Sequence, residues 1–107
     1  MKLILAIVSN DDTTPVVKAL NKEKYQVTKL STTGGFLSAG NTTLIIGCED
    51  ELVERAIEII GSKSQRRKEI LPSPAPFMAS EITSMPVEIT VGGATIFVLD
   101  VEKFVKL

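Results

Sequence analysis

The sequence of 107 residues contains no His, no Trp and a single Cys, Cys48. Without His there is no Ser-His or Cys-His nucleophile pair, no imidazole general base and no His-ligated metal. One Cys makes neither an internal disulfide nor a Cys-rich zinc site, a usage that fits a reducing compartment. A charge excess is also missing, because 12 basic and 13 acidic residues leave a formal net charge of −1. A generic binder of nucleic-acid polymers would carry a basic excess. The longest opening apolar run, Leu3 to Val8, ends at once in Ser9-Asn10-Asp11-Asp12. A secretory core takes about 7–15 apolar residues and a spanning helix about 20, so the run is neither. These absences predict a cytoplasmic chain that does not insert in membranes, does not bind nucleic-acid polymers and is not an enzyme.

What is present reads as one α+β domain over residues 1–107. Lys2–Val8 is a β-branched run of strand length. Thr13-Thr14-Pro15 offers a hydroxyl cap and a first-turn proline, and Val16, Val17 and Leu20 share a face of a helix reaching about Lys24. Tyr25–Ser31 and Thr42–Cys48 read as strands. Glu49-Asp50-Glu51 starts a second helix with buried stripe Leu52, Val53, Ala56, Ile57 and Ile60, a supporting Glu51–Arg55 pair and a stop at Gly61. Pro86–Val91 and Ala94–Asp100 read as strands joined across Gly92-Gly93, a hairpin signal. The order is a ferredoxin-like βαββαβ sandwich with an extra C-terminal hairpin strand.

The strands are apolar on both faces. Leu3, Leu5 and Ile7 oppose Ile4, Ala6 and Val8, while Phe97 and Leu99 oppose Ile96 and Val98. Two helices cover one face, and a bare second face is a large apolar patch of the kind soluble monomers rarely carry. Self-association covers it directly; the long Ser62–Met85 loop folding across it is the other solution.

Two connections could carry function. Between the second and third strands, Thr32-Thr33-Gly34-Gly35-Phe36-Leu37-Ser38-Ala39-Gly40-Asn41-Thr42 combines glycines, whose N–H groups can converge on an anion, with an apolar Phe36-Leu37 pair. That pair needs a surface: its own core, a neighbouring subunit, or a flat ligand such as a nucleobase. Gly35 to Thr42 has the spacing of a phosphate loop, but Asn41 replaces the Lys and a strand follows, so an NTPase reading fails. Ser62–Met85 holds Lys63, Arg66, Arg67 and Lys68, then Pro72, Pro74 and Pro76, and reads as a flexible arm or a solvated insert. Asp11-Asp12 and Glu49-Asp50-Glu51 sit where helix starts favour acids. Cys48 reads as a small buried hydrophobe.

Thr28-Lys29-Leu30-Ser31-Thr32-Thr33-Gly34-Gly35-Phe36-Leu37, followed by Ala39-Gly40-Asn41-Thr42-Thr43, resembles the signature of the PII-like cyclic di-AMP receptor proteins. The likeness extends to Lys2–Val8, the helix after Glu49-Asp50 and Val91–Val98. It implies a ferredoxin-like homotrimer binding cyclic di-AMP in clefts between subunits, with no further cofactor and no metal. It places Phe36 and Leu37 on an adenine, Gly35 at a close backbone approach, and Thr28 and Asn41 as hydrogen-bonding groups. Gly47 leaves room at the cleft wall, and Phe97 lies beside the second base from the neighbouring chain. Gln26 donates a hydrogen bond; it and Ser38 stand where many relatives carry Arg, so neutral bonds replace charge-assisted ones. The resemblance implies a receptor that relays ligand occupancy through its loops to a downstream protein. The alternative is an adaptor that docks a protein through Phe36-Leu37 and the proline-rich arm, without nucleotide.

Overall fold

A computed structural model describes residues 1–30, 40–71 and 87–107 of the chain. Four strands form one antiparallel sheet: β1 (Lys2–Ser9), β2 (Val27–Leu30), β3 (Asn41–Cys48) and a last strand, Ala94–Asp100. Their spatial order is β2, β3, β1 and the last strand. Helices α1 (Asn10–Lys22) and α2 (Val53–Lys63) follow β1 and β3, which makes the ferredoxin-like sandwich. Between α2 and the last strand, β4 (Arg67–Leu71) and β5 (Val87–Val91) pair as a separate two-stranded ribbon. The last strand is therefore β6.

The alternation along the strands decides the core. Ile4, Ala6 and Val8 of β1 and Leu44 and Ile46 of β3 are buried with Val16 and Leu20 of α1 and Ala56 and Ile60 of α2. Burying each large aliphatic side chain contributes about 1.5–3 kcal/mol, so this single layer holds the sheet to its helices. The opposite parity of the same strands points away from both helices.

Local chemistry moves several element ends from their expected places. α1 begins at Asn10 rather than near Thr13, because Ser9 caps it: its Oγ accepts from the Asp11 N–H at 3.3 Å. Pro15 then lies inside the helix, and its missing N–H falls opposite the exposed Asp11. α1 ends at Lys22, where Lys24 takes φ 69° and the Tyr25 N–H reaches back to the Leu20 carbonyl at 3.1 Å. α2 runs through Gly61 to Lys63, since the Ser62 and Ser64 hydroxyls donate to the carbonyls of Ile59 and Ile60 at 2.8 and 2.5 Å. Arg55 pairs with Glu23 and Glu58 instead of Glu51, tying the end of α1 to α2.

The largest difference concerns Gly92-Gly93. The pair does not close a hairpin between β5 and β6; β5 pairs with β4, in register Arg67 to Val91 and Glu69 to Ile89. Both glycines have φ of 84°, and the Gly93 N–H donates to the Ser64 carbonyl at the end of α2. A Cβ on Gly92 would stand 2.5 Å from the Gln65 carbonyl oxygen. The two glycines thus dock the chain on α2 and redirect it into the main sheet. Within the stretch expected to be a loop, Arg67–Leu71 is a strand, while Pro72, Pro74 and Pro76 lie outside the described residues.

Candidate ligand-binding site

In an antiparallel sheet, directly paired residues share a face. The register pairs Thr28 with Ile45, Ile45 with Leu5 and Leu5 with Phe97, so one row of side chains crosses the whole sheet on the face away from the helices. A second row joins Gly47, Leu3 and Leu99, and a third joins Leu30, Thr43, Ile7 and Thr95. Four of the expected ligand residues, Thr28, Asn41, Gly47 and Phe97, therefore stand on one face. Phe97 and Leu99 are 53% and 44% exposed there, although both are large apolar side chains.

The same row separates them. Thr28 on β2 and Phe97 on β6 occupy opposite edge strands, three strand spacings or roughly 14 Å apart. Gly47 sits on the β2 side, and the nearest atom to a Cβ built on it is the Met1 Cε at 3.9 Å, so the wall beside it is open. Asn41 opens β3 opposite Ser9 and is exposed, as is Gln26 just before β2. Gly35, Phe36, Leu37 and Ser38 lie outside the described residues. Gly40, at φ 82°, marks the chain's re-entry to β3, where its carbonyl accepts from the Asn10 N–H at 2.7 Å.

Sequence reasoning missed two groups near these residues. Thr43, in the third row, is buried, and its Oγ1 has no hydrogen-bond partner among the described residues. An unpaired buried hydroxyl costs free energy, which sets this atom apart from the other polar groups of β3. Nothing in a Thr-Thr-Leu-Ile run distinguishes it beforehand. The other is Asp12, a carboxylate 4% exposed, met by Arg67 of β4 with Nη2 to Oδ1 at 3.0 Å and Nη1 to Oδ2 at 3.4 Å. Cys48 is buried at the end of β3, and desolvation followed by the charges of Glu49 and Asp50 pushes its thiol up, away from a nucleophile. A groove of about 840 Å³ between α1 and α2, lined in part by Lys18, Lys22, Arg55 and Lys63, lies on the helical side, away from the candidate residues.

The sequence matches the family described as "Cyclic-di-AMP receptor" over residues 1–107, the whole chain. The chain belongs to that family. Its fold is also similar to a crystal structure described as that of a functionally unknown protein from Pediococcus pentosaceus ATCC 25745. The likeness has a TM-score of 0.74 at 40% identity and covers 99% of this chain and 96% of that one. Among the described residues of this receptor-family chain, no helix is long and apolar enough to cross a membrane.

Proposed function

We propose that the chain is a non-enzymatic cytoplasmic receptor that binds cyclic di-AMP in clefts between the subunits of a homotrimer. Occupancy of the clefts rearranges the loops and is read by a downstream protein. The observation that carries this reading is the separation of Thr28 and Phe97 on opposite edges of one sheet face. Edge residues about 14 Å apart on one open sheet face do not by themselves form the two walls of a concave site. They become neighbours when the β2 edge of one subunit meets the β6 edge of the next.

In each cleft one subunit supplies Gln26, Thr28, Gly35, Phe36, Leu37, Asn41 and Gly47, and its neighbour supplies Phe97 beside the second base. Stacking on Phe36 contributes about 1–3 kcal/mol per base, and neutral hydroxyl, amide and backbone N–H donors hold the phosphates. A closed ring of three sheets turns these faces toward its centre, where the exposed apolar rows pack on one another and relieve the patch a monomer would present.

Calorimetric titration with cyclic di-AMP, cyclic di-GMP and ATP, together with light scattering for subunit number, tests the proposal. The expected result is saturable binding of cyclic di-AMP by a trimer, weakened by Phe36→Ala. A trimer with no saturable binding of cyclic di-AMP at micromolar concentrations would sink the receptor reading and leave the adaptor. Unchanged affinity in Phe36→Ala would return that side chain to its own core.

A further inference from the structure

The first turn of α1 touches two parts of the chain that have no reason to meet. Asn10 takes the Gly40 carbonyl on its N–H at 2.7 Å, and its side-chain oxygen accepts the Thr42 hydroxyl at 2.5 Å. Those bonds hold the point where the β2–β3 connection re-enters β3, beside Asn41. Two residues later, Asp12 holds Arg67 at the base of the β4–β5 ribbon through both carboxylate oxygens. The carboxylate side chain is 6% exposed and the guanidinium 40%, so the pair is shielded on the Asp12 side only. A buried carboxylate without its cation is strongly unfavourable, which makes this contact hard to break without moving its surroundings.

The ribbon base is clamped at every corner. The Arg67 Nη1 also donates to the Gln65 carbonyl at 3.1 Å. Gly92, at the end of β5, packs so closely that a Cβ would stand 2.8 Å from the same Nη1. The Gly93 N–H is bonded to the Ser64 carbonyl. The Asp12 turn is thus joined to Arg67 by a two-pronged contact, and Arg67 to Gly92 by packing against Nη1. Close-packed contacts of this kind pass displacements on rather than absorbing them.

We infer that Asp12 and Arg67 are positioning residues that couple the ligand cleft to the β4–β5 ribbon, through the α1 turn that holds Gly40 and Thr42. The inference rests on the receptor reading and names the internal route by which occupancy reaches the ribbon. Coupling requires that the ligand and the ribbon bias the same element, and residues 10–12 are that element.

Hydrogen–deuterium exchange of the full chain, read at peptides covering β4 and β5 with and without saturating cyclic di-AMP, tests it. In the wild type, ligand slows ribbon exchange by about fivefold or more, the lower end of ordinary coupling. In Asp12→Asn the ligand-free ribbon exchanges faster and ceases to respond to ligand, while cyclic di-AMP affinity stays within about threefold of wild type. Asp11→Asn, an exposed acid in the same turn, keeps wild-type behaviour in both respects. Arg67→Lys, which keeps the charge and loses the two-pronged contact, gives the same uncoupling if Asp12→Asn does not fold. A ribbon that responds normally in Asp12→Asn or Arg67→Lys, or a wild-type ribbon indifferent to bound ligand, overturns the coupling. Failure of the wild type to bind cyclic di-AMP overturns the receptor reading, and the ligand-free comparison then still decides whether the pair holds the ribbon.

Discussion

Thr28 and Phe97 stand at the two ends of one row of side chains that crosses all four strands, with Ile45 and Leu5 between them. The row puts both residues on the face that the helices leave uncovered, and it also keeps them apart. In the proposed cleft the two come from different subunits, a head-to-tail arrangement that closes into a ring.

That arrangement makes a mixing experiment decisive. Thr28→Val and Phe97→Ala trimers each bind cyclic di-AMP weakly, Phe97→Ala by roughly 5- to 150-fold if a stacking contact is lost. When the two are unfolded and refolded together in equal amounts, about a quarter of the clefts combine two intact halves and regain wild-type affinity. Calorimetry of the mixture showing no tight class of sites would place both residues in one subunit's site, or in none.

Gly47 separates ligand space from fold space. Among the described residues a Cβ there meets only the Met1 Cε at 3.9 Å, and the position is in a strand that accepts β-branched residues. Gly47→Val should leave the melting temperature within a few degrees of wild type and abolish cyclic di-AMP binding. Retained binding would show that the cleft wall lies elsewhere.

Two glycines with nearly the same backbone should differ sharply in what they tolerate. Gly40 and Gly92 have φ of 82° and 84°, but among the described residues only Gly92 has a neighbouring carbonyl oxygen in the way, at 2.5 Å. Gly40→Ala should cost about 1–2 kcal/mol for the left-handed backbone alone. Gly92→Ala should cost about 1–3 kcal/mol more for the overpacked junction. Urea unfolding of the two variants measures the difference, and equal costs would contradict the close packing of Gly92 on α2.

Acid should remove one tie between the helices. The hydrogen-bonded Arg55 guanidinium, and then its charge, hold the Glu23 carboxyl below its ordinary range. A carboxylate whose folded pKa is depressed stabilises the fold above its unfolded pKa and loses that contribution as pH falls through the folded value. The pair is exposed, so the effect is small. Thermal melts should show Glu23→Gln below wild type at neutral pH, with the gap closing as pH falls below the ordinary carboxylate range. A gap that persists in acid would assign Glu23 a role other than its charge.

Residue order alone made five of the six described strands legible, with both helices, the two-sided apolar character of β1 and β6 and the lack of His; β4 read as loop. Those features depend on residue type and on periods of 2 and 3.6, which are local. Element ends were less legible, because capping is settled by single side chains: Ser9 outcompeted Thr13, and Ser64 carried α2 past Gly61. The proposed ligand residues Thr28, Gly47 and Phe97 were named by the resemblance. Their division between the two edges of one face was not legible, since a period of 2 assigns a side chain to a face but never names the strand beside it. Long-range packing sets the rest: β5 pairs with β4, Gly92 and Gly93 dock on the end of α2, and Asp12 meets Arg67 across 55 positions of sequence. Each of these depends on which distant surface a segment is packed against. An Asp in a first helical turn reads as a dipole partner until the fold brings a guanidinium to bury it.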